Sequence, residues 1–173
     1  MRQRRDEHGL DDIDRKILSI VQADCKVPLA RVGEQVGLSA PSVVERVRKL
    51  EQEGFIRGYR ALLDARRLGL GVTAFIGVWV ANTGLSSFEQ GLPELQDVLE
   101  CHHVTGGPSL LLKVKTRNTE TLQTLIRSLR SLPGVERTET NVVLSTMVER
   151  TGVGESVLLT SAERPVVTPD DGQ

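Results

Sequence analysis

Residues 29–50, LARVGEQVGLSAPSVVERVRKL, decide the fold of the first half of the chain. Leu29, Val32 and Val36 recur at helical spacing and predict a helix with one buried face. Gly37 follows directly, and glycine is the residue that most often ends a helix in the left-handed conformation. The segment therefore predicts a helix, a tight turn and a second helix, which is the order of a helix-turn-helix module.

The second of these helices has one apolar and one polar face. Val43, Val47 and Leu50 follow at i, i+4 and i+7, which predicts burial. Ser39 is a good N-terminal cap for this helix. Pro41 lies in the first turn, where its missing N–H would have no partner within the helix. Arginine suits guanine, glutamate suits cytosine, and serine or lysine suits phosphate. We predict that this helix and its cap contact DNA through six residues: Ser39, Ser42, Glu45, Arg46, Arg48 and Lys49.

The same polar face also fits a simple solvated surface with ion pairs between neighbouring turns. Many helical domains that never touch DNA carry two helices around a glycine. The charge distribution favours DNA. Residues 1–70 hold 14 Lys/Arg and 11 Asp/Glu, whereas residues 71–173 hold 8 and 12. A polyanion therefore prefers the first half, and we predict double-stranded DNA as a partner.

The segments on either side complete an N-terminal domain. Leu10-Asp11-Asp12 predicts the start of a first helix, with an aspartate as its cap. Residues 55–63 predict a short strand or wing after the third helix. We assign residues 1–63 to a winged-helix-like helix-turn-helix domain and residues 64–71 to a linker.

The second half alternates strands and helices. Apolar helical spacing predicts one helix around Leu85–Leu92 and another around Leu122–Leu129. The order β-α-β-β-α-β indicates a ferredoxin-like domain over residues 72–150, and the whole chain is of the α+β class. Residues 151–173 are rich in Gly, Pro, Ser, Thr and Asp, which predicts a flexible C-terminal tail. The predicted strands cover residues 72–80, 98–104, 109–115 and 135–148.

The first predicted strand is apolar on both faces. A ferredoxin-like sheet has helices on only one face, so we predict that Phe75 and Trp79 fill the core or a subunit interface, with stacking against a ligand as the alternative. The uncovered face predicts association with a second copy of the chain.

The remaining motifs do not indicate catalysis. Cys101, His102 and His103 have no third or fourth ligand at metal-binding spacing, and no nucleophile with its base is evident. We therefore predict no catalytic residues, no metal and no cofactor. Two cysteines form no disulfide framework, and no apolar run approaches the roughly 20 residues of a membrane helix. These observations predict a cytoplasmic protein without a membrane partner.

Four blocks of sequence resemble the leucine-responsive/asparagine-synthesis (Lrp/AsnC) regulator family. They are LDDIDRKIL at 10–18, LSAPSVVERVRKLEQEGFIRGY at 38–59, VTGGPSLLLKV at 104–114 and LPGVERTETNVVL at 132–144. The resemblance implies a transcriptional regulator that forms homodimers and octamers. It also implies operator binding and control by a small amino acid.

The glycine-rich turn fits either a plain turn or a site whose backbone amides bind a carboxylate, and the resemblance places the effector there. The effector-binding residues are then Thr105, Gly106, Gly107, Pro108 and Ser109. The chain departs from the family pattern at Ser109 and Leu110, where an acid and an aromatic residue are usual, and at Glu45, where a basic residue is common. A small-molecule sensor with a vestigial helix-turn-helix is the alternative function.

Overall fold

The computed structural model describes residues 9–158. Residues 1–8 and 159–173, which include most of the predicted tail, lie outside the described part. The chain divides into two compact units. Within the described range, residues 9–61 and 149–158 form the first unit and residues 62–148 form the second.

Three helices build the first unit: α1 (Asp12–Ala23), α2 (Leu29–Val36) and α3 (Ala40–Gln52). Asp11 and Asp14 cap α1 reciprocally. The amide of Asp14 donates to Asp11 over 2.8 Å, and the amide of Asp11 donates to Asp14 over 3.2 Å. Gly37 ends α2 at φ 71°. The helices and their caps thus form the predicted helix-turn-helix.

The turn between α2 and α3 is held by a close backbone contact. A Cβ atom on Gly33 would lie 2.5 Å from the carbonyl oxygen of Leu38, so only glycine fits there. Behind the turn, Ile17, Val32 and Val43 are fully buried. This contact sets the entry of the chain into α3.

The structure gives residues 55–63 no strand. Instead, the chain folds back on the end of α3. The amide of Ile56 donates to the Leu50 carbonyl over 3.1 Å, and the Tyr59 hydroxyl donates to Glu51 over 2.8 Å. The segment caps α3, and among residues 9–158 no strand pairs with it, although its residue types favour extended backbone.

The second unit is the predicted ferredoxin-like α+β fold. Its four antiparallel strands lie in the order β2-β3-β1-β4. The elements are β1 (Val72–Val80), α4 (Leu85–Gly91), β2 (Val98–His103), β3 (Leu110–Thr116), α5 (Thr119–Ser131) and β4 (Val135–Val142).

The last strand is shorter than predicted. It ends at Val142, which pairs with Ala74, and one further bond joins the Val143 amide to the Thr73 carbonyl. β1 begins at Val72, so the later residues have no partner strand. The apolar pattern that predicted a strand to residue 148 therefore overestimated it.

The core of the second unit lies between one sheet face and the two helices. Phe88 of α4 and Leu129 of α5 are fully buried against Ile76 and Leu112. Alternate residues of the strands, including Phe75, point to the other face. We call that face the open face, because neither α4 nor α5 covers it.

After β4 the chain returns to the first unit, where a short helix α6 (Glu155–Leu158) follows. Residues 151–158 thus differ from the expected tail, because Val153 is hydrogen-bonded to Gln22 of α1. The structure shows no helix in its described part that is long and apolar enough to span a membrane.

Candidate DNA-binding and effector sites

The exposed face of α3 carries three of the predicted DNA contacts. Ser42, Glu45 and Arg48 are exposed, while the buried face holds Val43 and Val47. Within residues 9–158, Arg48 has no hydrogen bond or ion pair. Its guanidinium is therefore available to an external acceptor.

Lys49 and Ser39 lie beside this face and already have partners. Lys49 pairs with Glu53 one turn later, at 3.5 Å. Ser39 caps α3, accepting a hydrogen bond from the Ser42 amide at 3.4 Å, and the two hydroxyl oxygens lie 2.9 Å apart. A cap satisfies a free amide of the first turn, so Ser39 has a structural role of its own.

Arg46 is engaged inside the protein. Its guanidinium donates to Asp11 over 2.8 Å and to Asp14 over 2.6 Å. Both carboxylate side chains are less than 10 % exposed, at 6 % and 9 %, and that of Arg46 is 28 % exposed. The sequence predicted Arg46 on the DNA face, whereas the structure uses it to join α3 to the start of α1.

The surroundings of Asp11 and Arg46 favour their charged forms. Burial opposes the charge of Asp11, but the Asp14 amide and the Arg46 guanidinium outweigh it and lower the pKa of Asp11 below its usual 3.8. Burial likewise opposes the charge of Arg46, and the two aspartates outweigh it and raise its pKa. Asp11 and Arg46 therefore stay ionised at neutral pH.

Sequence reasoning missed Val44 on the exposed face of α3. This side chain is 49 % exposed, next to Ser42 and Glu45. The signal was present, because Val43 and Val44 are adjacent and only one of them can point into the core. An exposed apolar side chain on such a helix suits the methyl group of thymine.

The five predicted effector residues form the turn between β2 and β3. Ser109 ties this turn to the sheet. Its amide donates to the Val78 carbonyl over 3.0 Å, and its hydroxyl oxygen accepts from the Val80 amide at 3.3 Å. The pairing of β1 with β4 shifts register between Trp79 and Val80. Ser109 thus satisfies an amide at this irregularity.

The rest of the turn folds over the open face. A Cβ atom on Gly77 would lie 3.2 Å from Pro108, and one on Gly107 would lie 3.5 Å from the Trp79 ring. Gly106 has φ 114°, a conformation that favours glycine. Thr105, Gly106 and Gly107 are exposed, so this part of the turn is accessible to a ligand.

The positively charged side chain of Arg137 lies on the open face beside Trp79. The Arg137 guanidinium is 4.3 Å from the centre of the Trp79 ring, within the range of a cation–π contact. It also donates to Glu139 over 2.6 Å. The sequence did not reveal this contact, because it depends on the pairing of β1 with β4.

The Cys-His-His motif has no metal-binding arrangement. His103 Nε2 lies 3.5 Å from a carboxylate oxygen of Glu89. Burial of the Cys101 thiol raises its pKa, and the negative charge of Glu89 raises it further. Over residues 9–158, no group of three or more His, Cys, Asp or Glu side chains is placed to hold a metal ion.

Comparison with known proteins matches both units. Residues 10–51 match the AsnC-type helix-turn-helix domain, and residues 73–153 match the Lrp/AsnC ligand binding domain. This chain belongs to the Lrp/AsnC family. The family's curated members are transcriptional regulators and not enzymes.

Three relatives show the extent of the similarity. The transcriptional regulator FL11 of Pyrococcus horikoshii is 37% identical over 82% of this chain and 94% of its own length. The leucine-responsive regulatory protein of Escherichia coli is 36% identical over 82% and 89%. A Neisseria meningitidis regulator, solved as a complex with L-methionine, has a TM-score of 0.82, 29% identity and coverage of 87% and 99%.

We predict that Arg46→Ala destabilises this Lrp/AsnC protein by roughly 2–4 kcal/mol, because two buried carboxylates lose their cation. Arg48→Ala, on the same helix, should change the free energy of unfolding by less than about 0.5 kcal/mol. Urea denaturation of both variants measures the difference.

Equal stability of the two variants would show that the ion cluster does not hold the fold together.

The dependence of the unfolding free energy on pH is a second measurement of the same cluster. The pKa of Asp11 is lower in the folded than in the unfolded chain, so its stabilising contribution is present above about pH 4 and is lost as the pH falls through the folded value. Asp11→Asn should show less of this acid loss.

Proposed function

We propose that this Lrp/AsnC regulator binds specific DNA sequences by placing α3 in the major groove. The observation that carries the proposal is the exposed Arg48 on the outer face of α3, which has no hydrogen bond or ion pair to any other residue of the described range 9–158. A helix of this kind lies in the major groove with its N-terminal residues against base edges.

The side chains of this face suit base recognition. Arg48 is suited to the two acceptors of guanine, and Glu45 to the amino group of cytosine. Ser42 suits a phosphate oxygen, and Val44 the thymine methyl group. Lys49 contributes after releasing Glu53, and its contact is with the DNA backbone. Arg46 supports the interface indirectly, because its ion pairs with Asp11 and Asp14 fix the position of α3.

We predict that Arg48→Ala weakens operator binding by about 1–3 kcal/mol and relaxes the base preference at one position, because a base contact is lost. Lys49→Ala should lower the salt slope of binding by about one, with little change in base preference. Arg127→Ala, an exposed arginine on α5, is the matched control and should bind normally. Gel shifts at several salt concentrations measure all three.

Normal binding by both α3 variants would contradict the groove assignment. No binding by the wild-type protein to DNA of its own operon, even in low salt, would favour a sensor whose helix-turn-helix is vestigial.

The open face supports a homodimer. It exposes Phe75 to 38 % and carries Trp79 beside it. Charges of both signs lie around this apolar patch, since Glu100 binds Lys113 on the β2 side and Arg137 binds Glu139 on β4. Mixed charge around an apolar centre is compatible with a second copy of the same face. Two such chains then present two α3 helices to DNA.

We predict that Phe75→Asp converts the dimer to a monomer, because a carboxylate would be buried in an apolar interface. Leu99→Asp is the control. Leu99 is also an exposed apolar residue, at 52 %, but it lies on the edge strand β2. Light scattering measures the mass against the 19.0 kDa chain. A variant at position 75 with unchanged mass and fold would exclude this interface.

The dimers associate further into octamers, and the regulated genes serve amino-acid or related metabolism. The octamer rests on the resemblance to the family, and the link to amino acids is supported by the ligand-binding-domain match and by the L-methionine complex of the Neisseria relative. The effector is a small molecule with a carboxylate, held by the amides around Gly106 and Gly107.

Ser109 sets the selectivity of this effector site. It stands where the family usually has an acid, and it offers a neutral hydroxyl to the ammonium of an amino acid. A neutral contact is weaker than a charge-assisted one. Amino acids should therefore bind weakly, and their keto-acid counterparts should bind comparably well.

We predict that Ser109→Asp strengthens amino-acid binding about tenfold, because a carboxylate can still accept from the Val80 amide while it faces the ammonium. Ser109→Asn has nearly the same shape without the charge and should have no such effect. Calorimetry with leucine, phenylalanine, lysine and their keto acids measures the change. Equal affinities in the two variants would mean that position 109 does not contact the effector.

A further inference from the structure

The outer surface of α1 carries a segment that follows the sheet unit in sequence. Gln22 and Val153 exchange two hydrogen bonds of 2.8 Å each. The Gln22 amide donates to the Val153 carbonyl, and the Val153 amide donates to Gln22 Oε1. The side-chain amide of Gln22 thus both donates to and accepts from the backbone of Val153, as a residue of a neighbouring β-strand would.

Two further contacts fix the segment along α1. The Arg15 guanidinium donates to the Val157 carbonyl over 2.6 Å, near the end of α6, where a cation is favourable. Leu158 packs against the apolar core of the three helices. Together with Gln22, these contacts span two turns of α1.

The segment approaches α1 closely at a glycine. A Cβ atom on Gly152 would lie 2.7 Å from Gln22 Cδ, so a larger residue would require the end of the Gln22 side chain to shift. The small size of Gly152 thus leaves room for the Gln22 side chain that bonds Val153.

We propose that residues 151–158 are a C-terminal strap that holds α1 in place and on which the position of the recognition helix α3 depends. The route is continuous within the first unit. The strap binds Arg15 and Gln22 of α1, and the start of α1 holds Arg46 of α3 through Asp11 and Asp14. The chain leaves this unit after Ala61 and re-enters it at Glu149.

The strap gives the C-terminal end of the sheet unit a role in the DNA-binding unit. Within residues 9–158, the chain enters the sheet unit before β1 and leaves it after β4, and the strap follows this second connection. β4 is therefore connected through only a few residues to a segment that holds α1. The inference goes beyond the proposed function, because it concerns the integrity of the helical unit and does not require DNA to be present.

Hydrogen exchange measured by mass spectrometry on the full chain tests the strap. Gln22→Ala removes both bonds to Val153, and a chain that stops after Arg150 lacks the strap entirely. Gln52→Ala replaces an exposed glutamine at the end of α3 and is the matched control. We expect peptides from α1 and α3 to exchange at least about fivefold faster in the first two proteins, with β1 and β3 unchanged and the control like wild type.

Trypsin measures release of the strap in the wild-type, Gln22→Ala and Gln52→Ala proteins. Cleavage after Arg150 requires several residues on each side to be extended, including Val153, so a bound strap protects the bond. We expect Gln22→Ala to be cut there at least about tenfold faster than Gln52→Ala. The proposal is overturned if wild-type residues 151–158 exchange without protection, or if loss of the strap leaves α1 and α3 exchange unchanged.

Discussion

The ion pairs between Arg46 and the carboxylates of Asp11 and Asp14 fix the recognition helix in this protein. Burying charges costs free energy that the pairing largely repays, so such a cluster adds little net stability. It does impose geometry, because any shift of α3 along α1 would leave a buried charge without a partner. The same aspartates cap α1, so the start of one helix and the position of another depend on the same two side chains.

The second constraint is that a four-stranded sheet with two helices covers only one of its faces. The open face is left with aromatic residues, and the turn that carries Gly107 and Pro108 folds over it beside Trp79. The proposed surfaces for a second subunit and for an effector therefore adjoin on one small domain. If both proposals hold, an effector bound at the turn would affect how two copies pack and so couple effector binding to DNA binding.

Features that depend on neighbours in sequence were predictable, and features that depend on distant pairing were not. An aspartate cap on α1, the Gly37 helix end and the bounds of β1 follow from local patterns. The partners of Arg46 lie 35 and 32 residues away, and helical periodicity alone placed it on the exposed flank. The length of β4 depends on where β1 begins. Composition predicted a tail at residues 151–158, because it contains no information about the hydrogen bonds that Val153 forms with Gln22, which is 131 residues away.

Selection of binding sites from a pool of random double-stranded DNA tests the central claim most directly. A homodimer with α3 in the major groove should enrich inverted half-sites whose centres lie about 10 base pairs apart. The Arg48→Ala protein should enrich the same arrangement with one position of each half-site relaxed. A pool without an enriched motif, or with a motif that lacks two-fold symmetry, would contradict this account of the protein.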